Sequence, residues 1–151
     1  VLRFIEYMDV GHSNGWRLDE VVPAADLVAA VTGTWPAEPA DPLYRGEVAG
    51  RWRYLDGRGE FGIISSVTMP FCRDCTRARL SAEGRLYTCL FATRGSDLRA
   101  LLRQGRNDAE ISTAIAHLWR ARTDRYSETR TINTEGLAQG GRKVEMSYIG
   151  G

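Results

Sequence analysis

Apolar and aromatic residues crowd the opening stretch Val1-Leu2-Arg3-Phe4-Ile5-Glu6-Tyr7-Met8 and predict a largely buried strand. His12-Ser13-Asn14-Gly15 reads as a loop by composition. The next pattern is helical. It starts at Asp19 or Glu20, is helped by Pro23 in the first turn, and is carried by Asp26 to Val31 with Gly33 as C-cap. Strand, loop and helix together make one α/β unit. Thr34 to Pro42 holds three of the five prolines and predicts a boundary or an extended connection. Beyond it the period changes. Residues 48–56 alternate loosely, Asp56-Gly57 signals a turn, and Phe61 to Val67 reads as a returning strand. Arg79 to Tyr87 predicts a second hairpin turning at Glu83-Gly84, so the middle of the chain is expected to be antiparallel β. Ser96 or Asp97 is expected to cap a short helix through Leu98, Leu101 and Leu102 that Gly105 ends. Asp108 is expected to cap another, whose Ile111, Ile115, Leu118 and Trp119 recur at helical spacing and suit core packing. Residues 123–143 are polar, weakly periodic and predict a long loop.

Length and charge narrow the class. A chain of 151 residues is long enough to bury a core without disulfide staples. A net charge of +1 gives no reason to expect a nucleic-acid partner. The basic set is lopsided, with 19 arginines and one lysine, Lys143. Most of that bias needs no chemical reason, but an arginine fork at a site suits phosphate or carboxylate. No stretch approaches the 18 or so apolar residues of a membrane span, and residues 1–10 lack a basic leader ahead of an apolar run. A cytoplasmic protein without membrane contact is expected. The chain opens on a strand already under way with no starting Met, which suggests a piece of a longer protein.

The cysteines bring in chemistry. Cys72-Arg73-Asp74-Cys75 is a CxxC, and Cys89 follows 14 residues after Cys75. Two residues between thiolates let one tight loop present both sulfurs to a metal centre, and a hairpin between Cys75 and Cys89 can deliver the third. An odd cysteine count argues against a disulfide framework. A redox CxxC opens a helix after a strand, whereas here a hairpin is expected next. The spacing leaves an iron–sulfur cluster and structural zinc both open. Zinc asks for four ligands, and the two histidines, His12 and His117, are remote in sequence. The ligand count favours a [4Fe–4S] cluster with one iron left for substrate, since clusters that only carry electrons use four cysteines.

Arg77 and Arg79 follow Cys75 at alternating spacing, so in a strand both guanidinium groups reach one face, where their donors suit a polyphosphate or a purine edge. Arg73 inside the CxxC is a weaker candidate. Arg3 stands among apolar residues, and a buried charge there needs a partner such as Glu6, another acid or an anionic ligand.

These residues together resemble a known family. Arg3-Phe4-Ile5-Glu6-Tyr7-Met8, Asn14-Gly15-Trp16, Cys72 to Leu80, Cys89-Leu90 and the terminal Gly150-Gly151 are similar to signatures of the GTP 3′,8-cyclases of molybdenum cofactor biosynthesis, across essentially the whole chain. That family consists of radical S-adenosyl-L-methionine enzymes on an incomplete (β/α) TIM-type barrel. An N-terminal CxxxCxxC cluster cleaves S-adenosyl-L-methionine, and a C-terminal three-cysteine cluster binds GTP. The resemblance implies an α/β fold, α+β within this stretch. Residues 1–42 would be the last strand and helix of the barrel. Residues 43–151 would be an antiparallel hairpin region and helices with the auxiliary [4Fe–4S] cluster, the GTP site and an active-site tail. It implies Cys72, Cys75 and Cys89 as metal ligands and Arg77, Ala78 and Arg79 as substrate-binding. Met8 would lie near S-adenosyl-L-methionine, and Arg3, Gly150 and Gly151 would act in catalysis. The implied product is (8S)-3′,8-cyclo-7,8-dihydroguanosine 5′-triphosphate, taken onward by cyclic pyranopterin monophosphate synthase. A homodimer is a further expectation. The chain contains no CxxxCxxC, so the radical-generating half with its second [4Fe–4S] cluster is missing and the stretch alone is expected to be inactive. A zinc-binding interaction module without catalysis and the auxiliary iron–sulfur domain of another radical enzyme are the alternatives.

Overall fold

The computed structural model describes residues 1–11, 13–130 and 143–149. It divides into two units. One comprises Val1–Asp9, Trp16–Thr76 and Ser127–Thr131, the other Val10–Gly15, Arg77–Tyr126 and Ile132–Gly151.

The first unit is built on a four-stranded sheet in the order β1-β4-β3-β2. Its strands are β1 (Leu2–Ile5), β2 (Ala37–Ala40), β3 (Gly50–Tyr54) and β4 (Glu60–Ile64), with helix α1 (Ala24–Thr34) between β1 and β2. β1 runs parallel to β4 with Leu2 opposite Phe61 and Ile5 opposite Ile64. β3 is antiparallel to both β4 and β2. The core centres on Phe61, which is fully buried. Phe4 meets its ring edge-on, Trp52 stacks on it and Tyr54 tilts against it, while α1 supplies Ala24, Leu27, Val28 and Val31. Phe61 falls in a run of apolar residues because β4 is flanked on both edges and covered by α1. The expectation that β1 is largely buried does not hold. Leu2 is 60% and Ile5 55% exposed, because among the described residues β1 pairs on one edge only and turns Phe4 alone to the core. The proline-bearing stretch is an edge strand, where Pro39 costs no ladder bond that the sheet requires. α1 runs through Gly33 to Thr34 instead of stopping there, and ends where Trp35 precedes Pro36.

The second unit carries a three-stranded antiparallel sheet, β5 (Arg79–Leu80), β6 (Arg85–Tyr87) and β7 (Ser96–Asp97), and helices α2 (Leu98–Arg103) and α3 (Asp108–Ala121). The predicted turn at Glu83-Gly84 is present, with Gly84 at φ +77°. The Asp97 side chain caps α2 through the Ala100 amide. Asn107, not Asp108, is the N-cap of α3. Its side chain accepts from the Glu110 amide while Glu110 accepts from the Asn107 amide, a capping box that leaves Asp108 to favour the helix dipole. The apolar stripe of α3 is only half-covered, and Ile115 stays 37% exposed. A short helix, α4 (Tyr126–Thr129), falls inside the stretch expected to be a loop.

Both units mix strands and helices, so the architecture is mixed α/β, and among the described residues neither sheet closes into a barrel.

Candidate functional site

The CxxC sits on a single 3-10 turn, Cys72–Asp74, closed by the Asp74 amide donating to Phe71 O at 3.2 Å. Both cysteines are half-buried, and none of the three cysteines is in a disulfide. The turn is reached from the end of β4 through residues 65–69, where the Met69 amide donates to Ser65 O. Glu6, 2% exposed, braces that approach. Its carboxylate accepts from the amides of Val67 (2.7 Å) and Thr68 (2.9 Å), from the Thr68 hydroxyl, and from the Ala24 amide at the start of α1 (2.7 Å). Burial pushes the Glu6 pKa up, but these four hydrogen bonds outweigh it and hold the group below its ordinary value. Glu6 is therefore not the partner of Arg3. Residues three apart in extended chain face opposite sides, and Arg3 is exposed, contributing to the field that lowers the Glu60 pKa after the larger effects of Arg51 and Arg53.

A second buried charge lies in the same unit. Arg130 is 1% exposed, pairs through Nε with Asp9 at 2.8 Å, and donates to Ser66 O at 3.0 Å. Its guanidinium lies 5.8 Å from the centroid of Trp16. It ties the chain just past Met8, which is half-buried, to the end of β4. Nothing in the local pattern at Arg130 distinguishes it from the other arginines, so the sequence reading missed it.

In the second unit Arg77 and Arg79 are half-buried while Ala78 and Leu80 between and beyond them are exposed. The alternation puts both arginines on one face, as their spacing predicts, and buries the Nε of each. β6 returns antiparallel with Arg79 opposite Tyr87, and Cys89 follows two residues later. A tight turn presents the Cys89 thiol. The Ala92 amide donates to Cys89 O at 3.3 Å, and the Phe91 amide points at Cys89 Sγ at 3.4 Å. The turn borders a cavity of about 290 Å³ lined by Phe91, Arg94, Asp124, Arg125 and Tyr126.

Residues 143–149 dock on this unit. The Val144 amide donates to Ala92 O at 3.1 Å. The Lys143 ammonium lies 4.6 Å from the Tyr126 centroid and 5.7 Å from that of Phe91, two rings that stack 4.5 Å apart. Glu145 accepts from the Ser13 hydroxyl and occupies space that any side chain at Gly11 would fill. Tyr148 bonds to Glu83, which with burial raises its pKa above the ordinary value, and Ile149 is 1% exposed. Gly150 and Gly151, and His12, lie outside the described residues.

The donor set fits a thiolate-ligated group in kind and in local presentation: a two-sulfur turn and a third sulfur that accepts from a backbone amide. Cys72 and Cys75 belong to the first unit and Cys89 to the second. Among the described residues no three His, Cys, Asp or Glu side chains are gathered into a group that could hold a metal ion. The hairpin expected to bring the third cysteine back does form, but the convergence itself is not displayed. No helix among the described residues is long and apolar enough to cross a membrane.

Comparison with known proteins adds the family context. A family model described as Molybdenum Cofactor Synthesis C matches residues 1–128. A GTP 3′,8-cyclase of Acidothermus cellulolyticus is 52% identical, the alignment covering 100% of this chain and 48% of that protein. One from Xanthomonas campestris pv. campestris (strain B100) is 49% identical, covering 100% of this chain and 43% of the relative. One from Synechococcus sp. (strain CC9605) is 47% identical over 99% of this chain and 41% of its own length. The chain spans less than half the length of these relatives.

Proposed function

The chain belongs to the Molybdenum Cofactor Synthesis C family, and from that premise we propose that it is the C-terminal, auxiliary-cluster part of a GTP 3′,8-cyclase. The full-length enzyme converts GTP to (8S)-3′,8-cyclo-7,8-dihydroguanosine 5′-triphosphate by radical S-adenosyl-L-methionine chemistry. In this reading residues 1–42 derive from the last part of an incomplete barrel and residues 43–151 carry the auxiliary site. Cys72, Cys75 and Cys89 hold a [4Fe–4S] cluster. When bound, that cluster supplies one iron not taken up by the protein, free to accept a substrate atom.

The observation that carries the reading is the run from Cys72 to Arg79. A turn bearing two thiols leads directly into two arginines half-buried on one face, at the start of the hairpin that ends beside Cys89. Arg77 and Arg79 bind the anionic part of GTP through charge-assisted forks. Ala78, small and exposed on the opposite face, keeps the two arginines in register. Met8 lies toward S-adenosyl-L-methionine, Arg3 acts in the channel, and Gly150-Gly151 reach the reacting groups. The product passes to cyclic pyranopterin monophosphate synthase. The enzyme is cytoplasmic and works as a homodimer.

The test uses anaerobically reconstituted full-length enzyme. Replacing Cys72, Cys75 and Cys89 together by Ser is expected to remove about four irons and four sulfides per chain. GTP is expected to perturb the paramagnetic resonance of the wild-type cluster. R77A or R79A is expected to weaken GTP binding by roughly 1.5–3 kcal/mol, the worth of a hydrogen bond to a charged group. Stoichiometric zinc without sulfide would move the reading to a zinc-binding interaction module. Unchanged GTP affinity in both arginine variants would remove them from the site.

A further inference from the structure

The segment 143–149 is tied down at several points, from Lys143 through Val144 and Glu145 to the buried Ile149. Its first tie is chemically distinct. The one lysine in a chain of 19 arginines sits against the stacked rings of Phe91 and Tyr126. Phe91 is itself buried, and its amide is the donor to Cys89 Sγ. The next residue in each strand of this contact adds a backbone bond, Val144 N–H to Ala92 O. The same Ala92 closes the Cys89 turn through its own amide. The ammonium, the ring pair and the backbone bond therefore act on one short turn whose business is to hold a thiol.

We propose that Lys143 is a positioning residue: its cation–π clamp on Phe91 and Tyr126 fixes the segment 143–149 to the Cys89 turn and so sets the presentation of that thiol. An ammonium suits this task because it is a compact charge that seats against a ring without needing the planar partner of a guanidinium. Attraction to the ring quadrupole requires the charge and not merely the apolar stem. The consequence for turnover rests on the function proposed above, whereas the clamp itself does not.

The test compares K143M, which keeps the stem, with K143R, which keeps the charge, in the full-length enzyme. Hydrogen exchange is read at the Val144 and Phe91 amides, alongside iron content and product formation. K143M is expected to speed exchange at both amides about tenfold, which corresponds to ~1.4 kcal/mol. Iron content should stay at the wild-type level. Turnover should fall several-fold with little change in KM for GTP, because a loosened Cys89 turn spoils positioning more than binding. K143R should recover most of the protection. Wild-type exchange in K143M would overturn the clamp. So would equal loss in K143M and K143R. If exchange behaves as expected but the wild-type enzyme makes no cyclised product, the clamp stands and the proposed function fails.

Discussion

Glu6 and Arg130 are the two largest charged side chains that the first unit buries, and they are handled differently. Arg130 is neutralised by an ion pair with Asp9. Among the described residues Glu6 has no cation for a hydrogen-bond donor and is held as an anion by three amides and one hydroxyl. Removing its charge leaves those donors facing an amide that can accept fewer of them. E6Q is therefore expected to lower the stability of the full-length protein by roughly 1.5–3 kcal/mol. The pH dependence follows from the lowered pKa. Below the ordinary carboxylate value of 4.5 the unfolded chain takes up a proton that the folded site resists. The contribution of Glu6 is thus full above that value and is lost as pH falls through the lower folded pKa. Urea titrations at several pH values between 7 and 4 check this: the difference between wild type and E6Q should narrow on the acid side. A difference that is constant with pH would mean that shape, and not charge, is what the site requires.

At the scale of elements, what was legible in the sequence divides by how local its cause is. The hairpin at Glu83-Gly84, the alternation of Arg77 and Arg79, the Asp97 cap and the CxxC turn all depend on neighbours within a few residues, and each was readable. Burial of β1, the partners of Glu6, and the hub at Arg130 depend on segments distant in sequence, such as Phe61, Val67 and Ser66, and no local pattern reports them. The cap of α3 was off by one because Asp108 and Asn107 are both good caps, and only the reciprocal bond of Glu110 chooses between them. The hairpin also yields a prediction. Gly84 has φ +77°, and a Cβ there would lie 2.8 Å from Arg99 Cβ, while its carbonyl accepts from the Leu98 and Arg99 amides at the start of α2. G84A is thus expected to cost roughly 1–3 kcal/mol from backbone strain and crowding together. It should also weaken GTP binding, because β5 carries Arg79. G57A is the matched control, since Gly57 has φ +74° but open space around it. It should cost about 1 kcal/mol and leave GTP binding unchanged. Equal effects of the two variants on GTP affinity would disconnect the hairpin from the site.

Over the whole molecule the decisive quantity is the supply of thiols. Three cysteines suffice for one auxiliary cluster and leave none for a second. The proposed function therefore assigns radical generation to a part of the enzyme that this chain does not contain, and assigns substrate holding to the part that it does. That division predicts two separable activities. The purified chain, reduced and supplied with S-adenosyl-L-methionine, should form no 5′-deoxyadenosine, since it has no second ligand set. The full-length enzyme with Cys72, Cys75 and Cys89 all changed to Ser should behave in the opposite way. It should retain about four irons per chain, keep forming 5′-deoxyadenosine, and lose both GTP binding and cyclised product. Iron and sulfide analysis paired with chromatographic detection of 5′-deoxyadenosine distinguishes the outcomes. Formation of 5′-deoxyadenosine by the isolated chain would mean that its three cysteines can do the work assigned to the missing half. Loss of that product from the triple variant, with the remaining iron still bound, would mean that the two sites cannot be treated as independent. In that case the coupling between substrate holding and radical generation would have to run through the contacts of this chain, and the clamp at Lys143 would be the first place to look for it.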